Sequence, residues 1–141
     1  MPIGQVGGIY YFRAWQSISQ TYEYKTYVFI CETDTGLYLL KINSKSYRNT
    51  VQFKLLASKY NNVNVITRDS YLDCGRIAKE AITQQEFERL AEGTFRGFLL
   101  LEDLKTAQLV VPTAKTLSDV EKNIIINHLQ KAIDTYSNHA T

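Results

Sequence analysis

Two periodicities divide the chain. Up to residue 81 the apolar residues come in short β-branched and aromatic runs separated by polar turns, and from Thr83 onward they recur at helical spacing. Gly7-Gly8 followed by Ile9-Tyr10-Tyr11-Phe12 predicts a first strand. Residues 26–31 and 37–42 predict a second and a third. The turn Thr33-Asp34-Thr35-Gly36 joins these two, with Gly36 best suited to a positive φ. The polar stretch from Gln16 to Tyr24 is long for a tight hairpin and reads as a loop of functional length. Residues 51–56 predict a strand or short helix, and Asn61-Asn62 turns the chain into a strand-like run at 63–66. Residues 67–77 then predict a strand in which Tyr71, Asp73 and Gly75 oppose Leu72, Cys74 and Arg76.

After the switch, Thr83-Gln84-Gln85-Glu86 spells a capping box, with Phe87, Leu90 and Ala91 on one helical face and Gly93 as a stop. Phe98-Leu99-Leu100-Leu101 fits helix and strand equally, and Leu109-Val110-Val111 before Pro112 reads as a strand end. Ser118-Asp119-Val120-Glu121 is a second capping box. It opens a long amphipathic helix whose stripe is Ile125, Leu129, Ala132, Ile133 and Tyr136. Strands joined by short turns and followed by helices predict one α+β, mainly β domain over 1–141. Its β core is 1–81, a small, strongly bent antiparallel sheet. An extra helix/strand segment follows at 82–115, then a terminal helix at 116–136 packed on the sheet, and a frayed tail at 137–141.

Composition narrows the class only a little. At 45% apolar and 21% charged the 141 residues make an ordinary globular chain. No run approaches the roughly 18 apolar residues of a membrane span, and no N-terminal apolar leader is visible, which predicts a cytoplasmic protein with no membrane partner. Cys31 and Cys74 lie in strand-like surroundings without metal-ligand spacing and read as reduced core thiols. The formal charge of +2 hides an asymmetry, since residues 1–81 carry ten Lys/Arg against six Asp/Glu and the remainder six against eight. Lys41, Lys45, Arg48, Lys54, Lys59 and Arg68 follow one another with no acidic residue between the first and the last, which predicts a positive surface able to meet RNA phosphates. Of these, Lys41, Lys45, Arg48 and Lys54 are the candidate RNA-binding residues.

No phosphate-loop, dinucleotide or zinc-hydrolase motif is present, His128 and His139 have no partner in sequence, and nothing calls for a metal or cofactor. Two loops are candidates for anion binding, Glu23-Tyr24-Lys25 and Asn43-Ser44-Lys45-Ser46, which an antiparallel meander brings to the same sheet end. Arg68 and Asp69 offer a cation and a proton-transfer group in one place if the strand bulges or ends there. Asp73 and Arg76 read as a structural ion pair or turn contact.

The order of several pieces resembles the PemK/MazF-type toxin family. Val6-Gly7-Gly8-Ile9-Tyr10-Tyr11-Phe12 is similar to its opening strand, with Gly8 at the acid's place. Lys25-Thr26-Tyr27-Val28-Phe29-Ile30 is similar to its second strand, with Lys25-Thr26 replacing Arg-Pro, and Ile42-Asn43-Ser44 to the end of its third. Leu72-Asp73-Cys74-Gly75-Arg76-Ile77 resembles its D-x-x-R strand and Thr116-Leu117-Ser118-Asp119 the start of its last helix. The resemblance implies an SH3-like barrel, a homodimer, an antitoxin partner and metal-independent endoribonuclease activity on single-stranded RNA. Lys25 or Arg68 would stabilise the phosphorane, Asp69 move protons and Ser44 hold a phosphate oxygen. The rival expectation is a non-catalytic barrel of this type that binds a protein or nucleic acid.

Overall fold

The computed structural model describes residues 4–16, 19–34, 36–78 and 84–139. Six strands form one antiparallel sheet: β1 (Gly8–Gln16), β2 (Thr21–Thr33), β3 (Gly36–Asn43), β4 (Gln52–Leu55), β5 (Ser70–Asp73) and β6 (Phe95–Phe98). They lie in the order β4-β5-β3-β2-β1-β6. Three helices accompany them, α1 (Gln84–Thr94), α2 (Leu101–Val110) and α3 (Asp119–His139). Register shifts between Phe29 and Cys31 in β2–β3 and between Ile9 and Tyr10 in β1–β6 bend the strands. The sheet curls into a half-barrel, and the expected α+β, mainly β fold with C-terminal helices is the fold observed.

The middle of the sheet is buried on both faces. On one side Ile9, Val28, Ile30, Leu40, Ile42 and Leu72 form a core with Leu104 and Ala107 of α2 and Ile125 and Leu129 of α3. On the other side Tyr10, Phe12, Tyr27, Phe29, Leu37 and Leu39 surround Phe87 of α1. Phe87 stacks on Phe29 at 5.4 Å and meets Tyr10 edge-on at 5.0 Å. Burying that one ring contributes roughly 1.5–3 kcal/mol. Both cysteines are free and buried, as expected, and burial pushes the Cys31 thiol up to about 11. No helix among the described residues is long and apolar enough to cross a membrane.

Among the described residues no ladder joins the outer edges of β4 and β6. The loop after β4 bridges the gap instead. The hydroxyl of buried Tyr60 accepts the amide of Leu100 at 3.0 Å and donates to Asp103 at 2.5 Å. Lys59 pairs with Glu102 at 3.0 Å, and Val63 and Ile66 sink into the core.

Several expectations are corrected. Of the stretch from Gln16 to Tyr24, of which residues 17–18 lie outside the described residues, Gln16 and residues 21–24 are strand, because β1 and β2 stay paired as far as Gln16 and Thr21. Its Thr and Tyr residues suit a half-exposed ribbon. Residues 63–66 form turns, and the strand expected at 67–77 shrinks to β5, which ends at Asp73, and Asp73 and the following Cys74 are both buried. Leu109-Val110-Val111 is helix and 3-10 turn, because Leu104, Ala107 and Val111 recur at helical spacing and bury together. Tyr136, assigned to the buried stripe of α3, is 39% exposed. α3 continues to His139, past the expected start of the tail at Ser137. The box at Ser118 is formed reciprocally, with Ser118 N donating to Glu121 at 3.0 Å and Glu121 N to the Ser118 hydroxyl at 3.1 Å. Thr83 of the other box lies outside the described residues, although α1 follows it as expected.

Candidate functional site

Strand alternation decides which side chains share the end of the sheet left uncovered by α1. Glu23, Lys25 and Tyr27 project from one face of β2. Tyr27 pairs with Lys41 of β3, which places Lys41 and Asn43 on that face. Ile42 pairs with Leu72, which sets Lys41 beside Asp73 of β5. Gln16, at the end of β1, completes the row. These residues, with Lys45 and Arg76 on the flanking loops, line a cleft of about 690 Å³.

The floor is a hydrogen-bonded chain. Gln16, 8% exposed, donates through Nε2 to the Tyr27 hydroxyl at 3.0 Å and to Ala14 O at 3.1 Å. Its Oε1 accepts the half-buried Lys41 ammonium at 2.5 Å. Burial, then the charge of Lys25, pushes the Lys41 pKa down. Glu23 and Asp73 oppose this, and Arg76 adds to it. A cation so placed, partly desolvated and crowded by a second cation, gains from an incoming anion. The Glu23 carboxylate accepts from the Ser19 hydroxyl at 2.7 Å. That bond, followed by Lys25 and Lys41, holds its pKa below the usual range.

One wall is a latched turn. Asp73, 5% exposed, accepts the Thr50 hydroxyl at 2.6 Å and the Gly75 amide at 3.0 Å. The Thr116 hydroxyl, just ahead of α3, donates to Gly75 O. Asp73 thus makes the turn contact anticipated for it, and the turn carries exposed Arg76 into the cleft lining.

The residues singled out in sequence separate into two groups. Lys25, Lys41 and Lys45 come together in the cleft lining. Exposed Ser44 lies between two lining residues, Asn43 and Lys45, without lining the cleft itself. Lys54 stands 5.9 Å over the Tyr71 ring on β4–β5, and Arg48 is exposed on the loop after β3, both outside the lining. Arg68 and Asp69 precede β5 and do not line the cleft. The Asp69 carboxylate accepts the Ala57 amide at 2.9 Å and caps the 3-10 turn Ala57–Lys59. Gln16, Glu23, Tyr27 and Arg76 complete the arrangement. In sequence, Glu23 stands out only as part of the Glu23-Tyr24-Lys25 loop, and Arg76 as a structural contact and in the D-x-x-R resemblance. The alternation Glu23-Lys25-Tyr27 defines a shared face only where the stretch is strand, as it is in β2.

No group of three or more His, Cys, Asp or Glu side chains able to hold a metal ion occurs among the described residues. His128 does not line the cleft. Set against family models, curated proteins and solved structures, the chain matches none of them.

Proposed function

We propose that the cleft binds the phosphodiester backbone of single-stranded RNA and cleaves it without a metal, as a PemK/MazF-like toxin would. The observation that carries this reading is the convergence of Lys25, Lys41, Lys45 and Arg76 on one cleft with the Glu23 carboxylate among them. In the proposed reaction Glu23 takes the proton of a ribose 2′-hydroxyl, whose oxygen attacks the adjacent phosphorus. Lys25 and Arg76 hold the non-bridging oxygens as charge builds. The Lys41 ammonium, acidified by burial and by Lys25, gives its proton to the departing 5′-oxygen. The products are a 2′,3′-cyclic phosphate and a 5′-hydroxyl. An antitoxin would oppose the same cleft with acidic side chains.

Glu23 also favours a second reading. A carboxylate held this low by Ser19 and two lysines is a weak base, which suits a cleft that binds RNA without cutting it. Both readings predict affinity that falls steeply with salt. A labelled single-stranded RNA panel should bind at low salt, and Lys25→Met with Lys41→Met should weaken binding across all sequences. Under the cleavage reading the intact protein yields cyclic-phosphate ends in EDTA, and Lys41→Met loses about 10²–10³ in rate. Binding with no cyclic-phosphate ends over a broad panel leaves the second reading. No affinity at low salt refutes both.

A further inference from the structure

The β1–β2 ribbon has a second face, turned away from the cleft. Tyr11, Arg13 and Trp15 of β1 share it with Tyr22 and Tyr24 of β2. Tyr11 lies 5.4 Å from Tyr24, Trp15 lies 5.3 Å from Tyr22, and the Arg13 guanidinium stands 5.2 Å from the Tyr22 ring centre. The rings are open to water, Tyr22 at 59% and Tyr24 at 62%, with Trp15 at 36%. Arg96 of β6 adds a second guanidinium, 6.0 Å from the Tyr11 ring. Among the described residues the strand positions on this ribbon face carry no carboxylate, since Glu23 alternates onto the cleft side.

We propose that this face is a stacking platform for the unpaired bases of the RNA strand whose phosphates occupy the cleft. The proposal rests on the reading of the cleft given above. Exposed aromatic faces interleaved with arginines accept any base, because every base presents a π face and each guanidinium also meets a phosphate. Trp15 belongs both to this aromatic face and to the cleft lining, so one strand can pass from phosphate contacts to ring contacts around it. A second copy of the chain fits the face less well. A two-fold contact would confront Arg13 and Arg96 with their own charges and offer no acid to offset them.

The test uses two fluorescently labelled 2′-O-methyl dodecamers that resist cleavage, oligoadenylate and an abasic strand with the same phosphates. Wild-type protein should bind oligoadenylate more tightly than the abasic strand. The double variant Tyr22→Ser/Tyr24→Ser should lose this difference, at roughly five- to 150-fold for each ring that stacks. Its dependence on salt should stay unchanged, because no phosphate contact is removed. Tyr22→Phe/Tyr24→Phe, which keeps both rings, should bind as wild type does. Equal affinity of the wild type for the two strands overturns the platform, and so does a serine variant that binds oligoadenylate as the wild type does. In either case the cleft reading survives if Lys25→Met still weakens binding. Absence of binding to both strands at low salt defeats the cleft and the platform together. A serine variant that turns a dimer into a monomer in sedimentation while its RNA affinity stays unchanged assigns the face to self-association and overturns the proposal.

Discussion

Gly75→Ala should destabilise the protein through one identifiable neighbour. A Cβ at residue 75 would sit 2.2 Å from the Thr50 hydroxyl oxygen, with Val51 N at 3.2 Å and Thr116 Oγ1 at 3.4 Å. The first distance is impossible, so the hydroxyl must move, and moving it breaks its bond to Asp73. Losing a hydrogen bond to a charged group costs about 1.5–3 kcal/mol. Residual crowding against the backbone at Val51 adds about 1 kcal/mol at the low end of overpacking, so Gly75→Ala should cost roughly 2.5–4 kcal/mol. Thr50→Ala removes the same bond and the same obstacle, at about 1.5–3 kcal/mol. The double variant should then cost little more than Thr50→Ala alone, leaving a coupling of about 1.5–3 kcal/mol. Urea unfolding of the four proteins of this cycle gives each value. Additivity within about 0.5 kcal/mol would refute the argument, because it would mean that the added methyl and the Thr50 hydroxyl do not compete for the same space.

Three further outcomes follow from other parts of the molecule. Lys25→Met should raise the pKa of Lys41, followed by NMR of its side chain, because it removes the charge that most opposes protonation there; no upward movement would show that burial alone sets it. Tyr60→Phe should cost roughly 1–3 kcal/mol in urea unfolding, since it deprives Leu100 N of its acceptor and Asp103 of its donor; a cost near zero would mean that water replaces the hydroxyl. The neutral, buried Cys31 thiol contributes stability that is complete below pH 9, its ordinary value being 9.0, and is lost as pH rises through about 11; Cys31→Ala should flatten that part of the curve, and an identical pH dependence in the variant would exclude the thiol.

The fold was legible where burial is one-sided in sequence or where a cap is local. Ser118 and Glu121 announced the start of α3, and Gly36 its turn, which it makes with a φ of 142°. What failed depends on partners distant in sequence. Thr21, Tyr22 and Tyr24 look like loop until β1 is seen to pair with them. Leu109 looks like strand because its 77% exposure on α2 is invisible in a run of apolar residues. The candidate site depends on distant partners in the same way. Lys25 and Lys41 are separately recognisable as cations, but their meeting with Gln16 follows from strand register, and that with Arg76 from the turn latched by Asp73. Asp69 had the chemistry of a proton carrier, and only the fold reveals the Ala57 amide that it caps.

Among the described residues the sheet curls without closing and keeps two free borders, and each is a template on which another chain could grow a strand. Here both borders are only four residues long, Gln52–Leu55 and Phe95–Phe98, and each carries a cation, Lys54 or Arg96. Extension across either would set like charges side by side for the gain of a few hydrogen bonds. The Tyr60 strap that spans the gap therefore need not seal it with a ladder. The opening can persist because its margins are too brief and too alike in charge to polymerise.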